Sequence, residues 1–200
     1  MENKHDSLAE GAGIGGLCAD RSLLRRLSTA LAKAELFAAG LLTFALFALL
    51  LTNVVSRFLG APLLWADELA VFLMVMAAFL AASAAVSARQ HIAVTLLADK
   101  LGPQGSAILA LIVDLVLLAF LLLLVWMVWI WFDPLTLLAA GSAEAFSATS
   151  FNFIYQEPTV TLGIRKVWFW LIMPVFALCA TFHCLSWIDV DLRSLKRNAT

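Results

Sequence analysis

Charge is what this sequence has least of. Only 14% of its 200 residues are Asp, Glu, Lys or Arg, while 63% are hydrophobic. Soluble domains carry roughly 25% charge and about 45–50% apolar residues. A water-soluble core cannot use that surplus, so an all-α integral membrane protein is expected. Each span takes about 20 apolar residues, which leaves no room for a separate soluble domain. The formal charge is only −1, so no nucleic-acid partner is expected. Cysteine is scarce as well. Cys18, Cys179 and Cys184 lack metal-ligand spacing, and the last two are too poorly phased to share a helix face. They are expected to pack. There is no HExxH motif, no phosphate loop and no nucleophile beside a base. No catalytic residue, cofactor or metal is expected, and the chain is not read as an enzyme.

The apolar residues fall into four long runs. Spans are expected at about 36–55, 65–88, 106–132 and 167–188. No short apolar segment with a cleavage site precedes them, so the first span is expected to be retained. Residues 1–20, with Gly11, Gly13, Gly15 and Gly16, are expected to be a disordered tail. Residues 21–33 place Leu23, Leu24, Leu27 and Leu31 on one helical side and Arg25, Arg26, Thr29 and Lys33 on others. This is either a basic amphipathic helix lying in the membrane surface or a helical cap on the first span. A second interfacial piece is expected at 91–101. Gly60 and Pro62 should end the first helix. Pro174 should kink the fourth within its first two turns. The connection 133–166 is long enough to hold structure of its own, and a short surface helix is expected near 135–146. Residues 189–200 are expected to be a polar tail. The membrane domain is thus 21–188.

The second span has two contrasting stripes. Ala70, Ala77, Ala81, Ala84 and Ala88 line one side, where small residues allow close helix packing in lipid. Trp65, Glu68, Phe72, Val75, Phe79 and Val86 line the other, expected to meet lipid or a partner subunit.

Polar residues gather at the span ends. Asn53, Arg57, Trp65, Asp67 and Glu68 surround the Gly-Pro turn. There Arg57 could fold back to the acids, either as a simple anchor and helix cap or as a lock that shapes a docking surface. Arg89 and His91 mark the opposite end. A bis-histidine haem through His91 and His183 is a weak alternative. Asp114 is the one acid well inside a span, and such a group is a functional candidate for a coupling ion or a partner's basic residue.

Four spans place both termini on one side. With them lie Lys4, Arg21, Arg25, Arg26, Lys33, Arg89, Lys100, Arg193, Lys196 and Arg197, against Arg57, Arg165 and Lys166 opposite. The positive-inside rule makes both termini cytoplasmic.

From Asn53 to Val94 the chain resembles the small permease subunit of the tripartite ATP-independent periplasmic (TRAP) transporters. Its elements are Asn53-Val54 with Arg57-Phe58, a turn with Pro62, then Trp65, Asp67 and Glu68. After a span come Arg89, His91, Ile92 and Val94. It departs from the family pattern at Ala81-Ala82, where glycine is common, in Arg89 lying one residue closer to His91, and at Thr95, where the family has an acid. The resemblance implies a bacterial inner-membrane subunit with two partners, a large permease subunit and a periplasmic solute-binding protein. It also implies ion-gradient-driven uptake of an organic acid. On the residues alone, a membrane anchor of a redox complex and a tetraspan structural protein stay open.

Overall fold

The computed structural model describes residues 23–89 and 103–198, and over this range the fold is helical without a strand. The helices are α1 (Leu23–Phe58), α2 (Leu64–Ser87), α3 (Pro103–Phe132), α4 (Pro134–Ala140), α5 (Ala143–Ser150), α6 (Val167–Trp170) and α7 (Ile172–Asn198). Four segments are long and apolar enough to cross a membrane: α1, α2, α3 and the α6–α7 pair. The expected tail 1–20, the interfacial piece 91–101 and His91 lie outside the described residues.

α1 runs for 36 residues without a break. At about 1.5 Å per residue it is roughly 54 Å long, far beyond a hydrocarbon core of about 30 Å. Residues 23–33 are therefore not a separate surface helix but the first turns of α1. The cause is packing, because Ser28, Ala32 and Glu35 on one side of these turns are buried. At its other end Gly60 adopts φ 76°. The Gly60 N–H donates to the Arg57 carbonyl (3.1 Å) and the Ala61 N–H to that of Ser56 (3.0 Å). This is a Schellman closure, which turns the chain within a few residues into α2.

α2 lies between α1 and α7 and packs on both, whereas α3 packs chiefly on α7. Ala66, Ala70, Ala77 and Ala84 are buried, but Ala81 and Ala88 of the expected small stripe are exposed. The bulky stripe also differs from expectation. Phe72 stacks on Phe169 with centroids 4.1 Å apart, and Phe79 meets Phe176 edge-on at 5.2 Å. A helix with a neighbour on each side needs two packing faces, so Phe72 and Phe79 of this stripe are used within the chain, while Trp65 and Val75 stay exposed.

Pro174 acts on the fourth span at Leu171, where α6 ends and α7 begins. Proline offers no N–H to the carbonyl one turn earlier and clashes with it. Residues 189–198, expected as a polar tail, continue α7. Asp191 is buried there and bound by Arg89, and Asp189 accepts from Arg193 at 2.9 Å one turn on.

The connection 133–166 folds onto one end of α3. Instead of one helix it forms two, because Gly141 at φ 72° closes α4 before Ser142 caps α5 through the Ala145 N–H (3.1 Å). Phe146 and Ile154 join Val128, Phe132 and Val167 in a small core. The Tyr155 hydroxyl donates to the Phe132 carbonyl (2.6 Å) and the Asn152 amide to that of Trp131 (2.8 Å), satisfying the exposed end of α3. Burial, with Asp133 nearby, pushes the Tyr155 phenol above its ordinary pKa.

Candidate functional site

Two sets of polar side chains lie at opposite ends of the bundle. At the first end, Asp67 at the start of α2 accepts from Asn53 (2.8 Å) and from Arg57 (2.7 Å), both on α1. The Schellman turn brings these residues together. The ion pair is more than half exposed, so its contribution to stability is small, up to about 1 kcal/mol. Glu68 does not join the trio. It turns to the segment before α6 and accepts from the N–H groups of Val160 (2.8 Å) and Thr161 (2.7 Å) and the Thr161 hydroxyl (2.6 Å). That segment is a tight turn in which Pro158 faces Arg165, and Thr159 N–H donates to the Ile164 carbonyl at 2.7 Å. Trp65 beside them is 39% exposed.

At the other end, Arg89 has φ 49°. This left-handed conformation is uncommon outside glycine. The Arg89 guanidinium donates to Asp114 on α3 and Asp191 on α7. The same guanidinium lies over the Trp187 ring, 4.1 Å from its centroid, and Arg25 of α1 covers that ring at 3.8 Å. The Trp187 indole N–H donates to the Ser87 carbonyl (3.0 Å), which also accepts from Arg25 (3.2 Å). One cation thus joins three helices. Asp114, read from the sequence as a site for a coupling ion or a partner's cation, is held by a cation of its own chain.

A second buried group lies beside this one. His183 on α7 is fully enclosed, with Nε2 3.0 Å from Glu35 and Nδ1 2.7 Å from Ser28, both on α1. Ser83 on α2 donates to the other Glu35 oxygen at 2.7 Å. A carboxylate only accepts, so Nε2 donates to Glu35, and Nδ1 shares a hydrogen bond with the Ser28 hydroxyl. Both ring nitrogens are therefore occupied within the bundle, and the haem alternative loses its His183 ligand. Ser, His and Glu stand in the order of a hydrolytic triad. Ser28, however, is buried in the second turn of α1 at 0% exposure, closed to any substrate.

Glu35, Ser28 and Asp191 were not among the residues singled out from the sequence, and His183 was considered only as a haem ligand. A usable signal existed. Counting spans puts Glu35 and His183 at the same end of the bundle, and a buried acid there needs a partner.

Every carboxylate on the four spanning helices is bound inside the chain: Glu35, Asp67, Glu68, Asp114, Asp189 and Asp191. Bundle and site together define a multi-pass helical membrane protein whose intramembrane charges hold helices to one another. A family model described as "Tripartite ATP-independent periplasmic transporters, DctQ component" matches residues 46–190, and the chain belongs to that family. It is a transporter component of the bacterial inner membrane, and its family is not one of enzymes. A Haemophilus influenzae protein provisionally named as a TRAP transporter small permease is 36% identical over 86 residues. That match covers 42% of this chain and 53% of the relative, so it spans about half of the relative's length.

Proposed function

We propose that this small subunit braces a large permease subunit and helps a periplasmic solute-binding protein dock, in uptake of an organic acid driven by an ion gradient. The observation that carries the reading is the consumption of polar groups. The carboxylates on the spans are bound to partners in the same chain, which leaves little to line a path for an anion. The long helices α1 and α3 instead offer broad apolar faces, with Phe37, Phe44, Phe47, Ile112, Val116 and Phe120 exposed. In lipid, close packing rather than a hydrophobic drive brings helices together, and such faces suit a large apolar neighbour. On this reading the end carrying Arg57, Trp65 and the 158–165 turn is periplasmic, and the end carrying Arg89 is cytoplasmic.

Co-purification with the large permease tests the bracing role. Phe37→Ala with Phe44→Ala should weaken the complex, as should Trp65→Ala. Undiminished recovery with all three substitutions combined would overturn it. Alkaline phosphatase fused after Thr200 should be inactive, and strong activity would reverse the orientation.

A further inference from the structure

α1 carries two seams of residues three and four apart, a period of about 3.5 that suits helix packing. On the inner seam Ser28, Ala32, Glu35 and Ala39, with Asn53 further on in the same phase, are buried in the bundle formed with α2 and α7. The outer seam lies on the opposite side. There Arg26, Lys33, Gly40, Phe47 and Val54 recur every seven residues, and all are exposed. Phe37, Phe44 and Leu51 stand between them and are exposed as well.

Two features of the outer seam serve nothing within the chain. The first is Gly40, the only glycine in the interior of a spanning helix among the described residues. Glycine weakens a helix more than any residue except proline. A Cβ at this position would meet nothing within 4 Å, so no contact inside the bundle calls for the missing side chain. Phe37 and Phe44, 76% and 68% exposed, stand one turn to either side, which makes Gly40 the floor of a notch. Fluid acyl chains cover a notch and a ridge alike. A neighbouring helix gains from the notch, because a missing side chain lets two backbones approach closely. The exposed face of α3 offers nothing similar, since residues 108–130 include no glycine.

The second feature is charge. Arg26 and Lys33 have no hydrogen-bond or ion-pair partner among the described residues. No carboxylate stands on the outer seam. The acids described at this end are held elsewhere: Glu35 by His183 and Ser83, Asp114 and Asp191 by Arg89, and Asp189 by Arg193. From Asn53 to Lys33 is about 30 Å along the axis, the thickness of the hydrocarbon core. Lys33 thus lies at the inner edge of the core, where water is scarce and a countercharge is worth most. We propose that the outer seam seats one helix of the large permease, with the two backbones closest at Gly40 and a carboxylate of that helix facing Lys33. This rests on the bracing role and adds to it the face, the point of closest approach and the chemistry of the partner.

The test measures two quantities for each variant: unfolding of the chain alone in SDS mixed micelles, and affinity for the purified large permease in detergent without added lipid. Gly40→Leu should leave the chain alone at least as stable, because leucine is the better helix former and enters open space. The same variant should weaken binding about tenfold by overfilling the contact. Lys33→Glu should weaken binding about fivefold at low salt and less at high salt, while Lys33→Arg keeps it. Unchanged binding in Gly40→Leu overturns the seam contact, and unchanged binding in Lys33→Glu overturns the carboxylate. An effect of Lys33→Glu seen only when phosphatidylglycerol is added would put a lipid headgroup on Lys33 and overturns the carboxylate too. These outcomes leave the bracing role standing. If the intact chain does not bind the permease, the bracing role fails and this inference with it.

Discussion

Replacing Arg89 by Gln should loosen the bundle more than any other single loss of charge. The guanidinium is 26% exposed, whereas its two partners, Asp114 and Asp191, have side chains only 5% and 10% exposed. Removing the cation leaves two carboxylates facing each other almost out of water. Breaking a buried pair from one side costs about 3–5 kcal/mol, and the lost stacking on Trp187 adds about 0.5–2 kcal/mol. Proton uptake by one aspartate returns part of this, so a net loss of about 3 kcal/mol is expected. Asp114→Asn alone should cost only about 1 kcal/mol, because Arg89 keeps Asp191 and the trio loses its excess negative charge. The double variant should then be better than the sum of the singles by about 1–2 kcal/mol. A backbone term separates out as well. At φ 49° glycine is tolerated where alanine is strained, so Arg89→Gly should be about 1 kcal/mol more stable than Arg89→Ala. Unfolding in mixed micelles with increasing SDS measures all five variants. Spin labels on α3 and α7 should show α3 separating, since α7 is its chief neighbour. If Arg89→Gln lies within about 0.5 kcal/mol of the parent, or if the double variant is additive, the trio does not hold the helices.

Other substitutions probe the remaining contacts. His183→Ala strands Glu35 in a buried site and should cost about 2–4 kcal/mol in the same unfolding assay, whereas adding Glu35→Ala should recover part of the loss. Glu68→Gln should speed amide exchange at Val160 and Thr161, whose N–H groups it accepts, with no change in the middle of α2. Pro174→Ala should join α6 to α7, visible as slower exchange at Pro174's neighbours Met173 and Val175.

The spans were legible because lipid enforces a simple rule: about 20 apolar residues, with polar groups at the ends. The first turn was legible from Gly60 and Pro62, and the helix break from Pro174, since both residues act on the backbone locally. Asn53, Arg57 and Asp67 could be grouped because one short turn separates them. The Arg89 trio could not, because Asp114 and Asp191 lie 25 and 102 positions away and Asp191 resembled part of a solvated tail. Ser28, Ser83 and Ser87 were hidden for another reason. A serine in a small-residue face packs as alanine does, and its hydroxyl becomes informative only when a partner on another helix is known. Phe72 and Phe79 on the bulky face of α2 were misassigned because composition does not distinguish phenylalanine facing lipid from phenylalanine stacked on a neighbouring helix.

The central claim is that these intramembrane charges serve cohesion and not passage. Its most direct measurement is uptake of a panel of radiolabelled carboxylic acids into proteoliposomes under an inward sodium gradient, with this chain alone and with the large permease and binding protein added. Accumulation only in the complete mixture is the expected result. Accumulation by this chain alone would contradict the account.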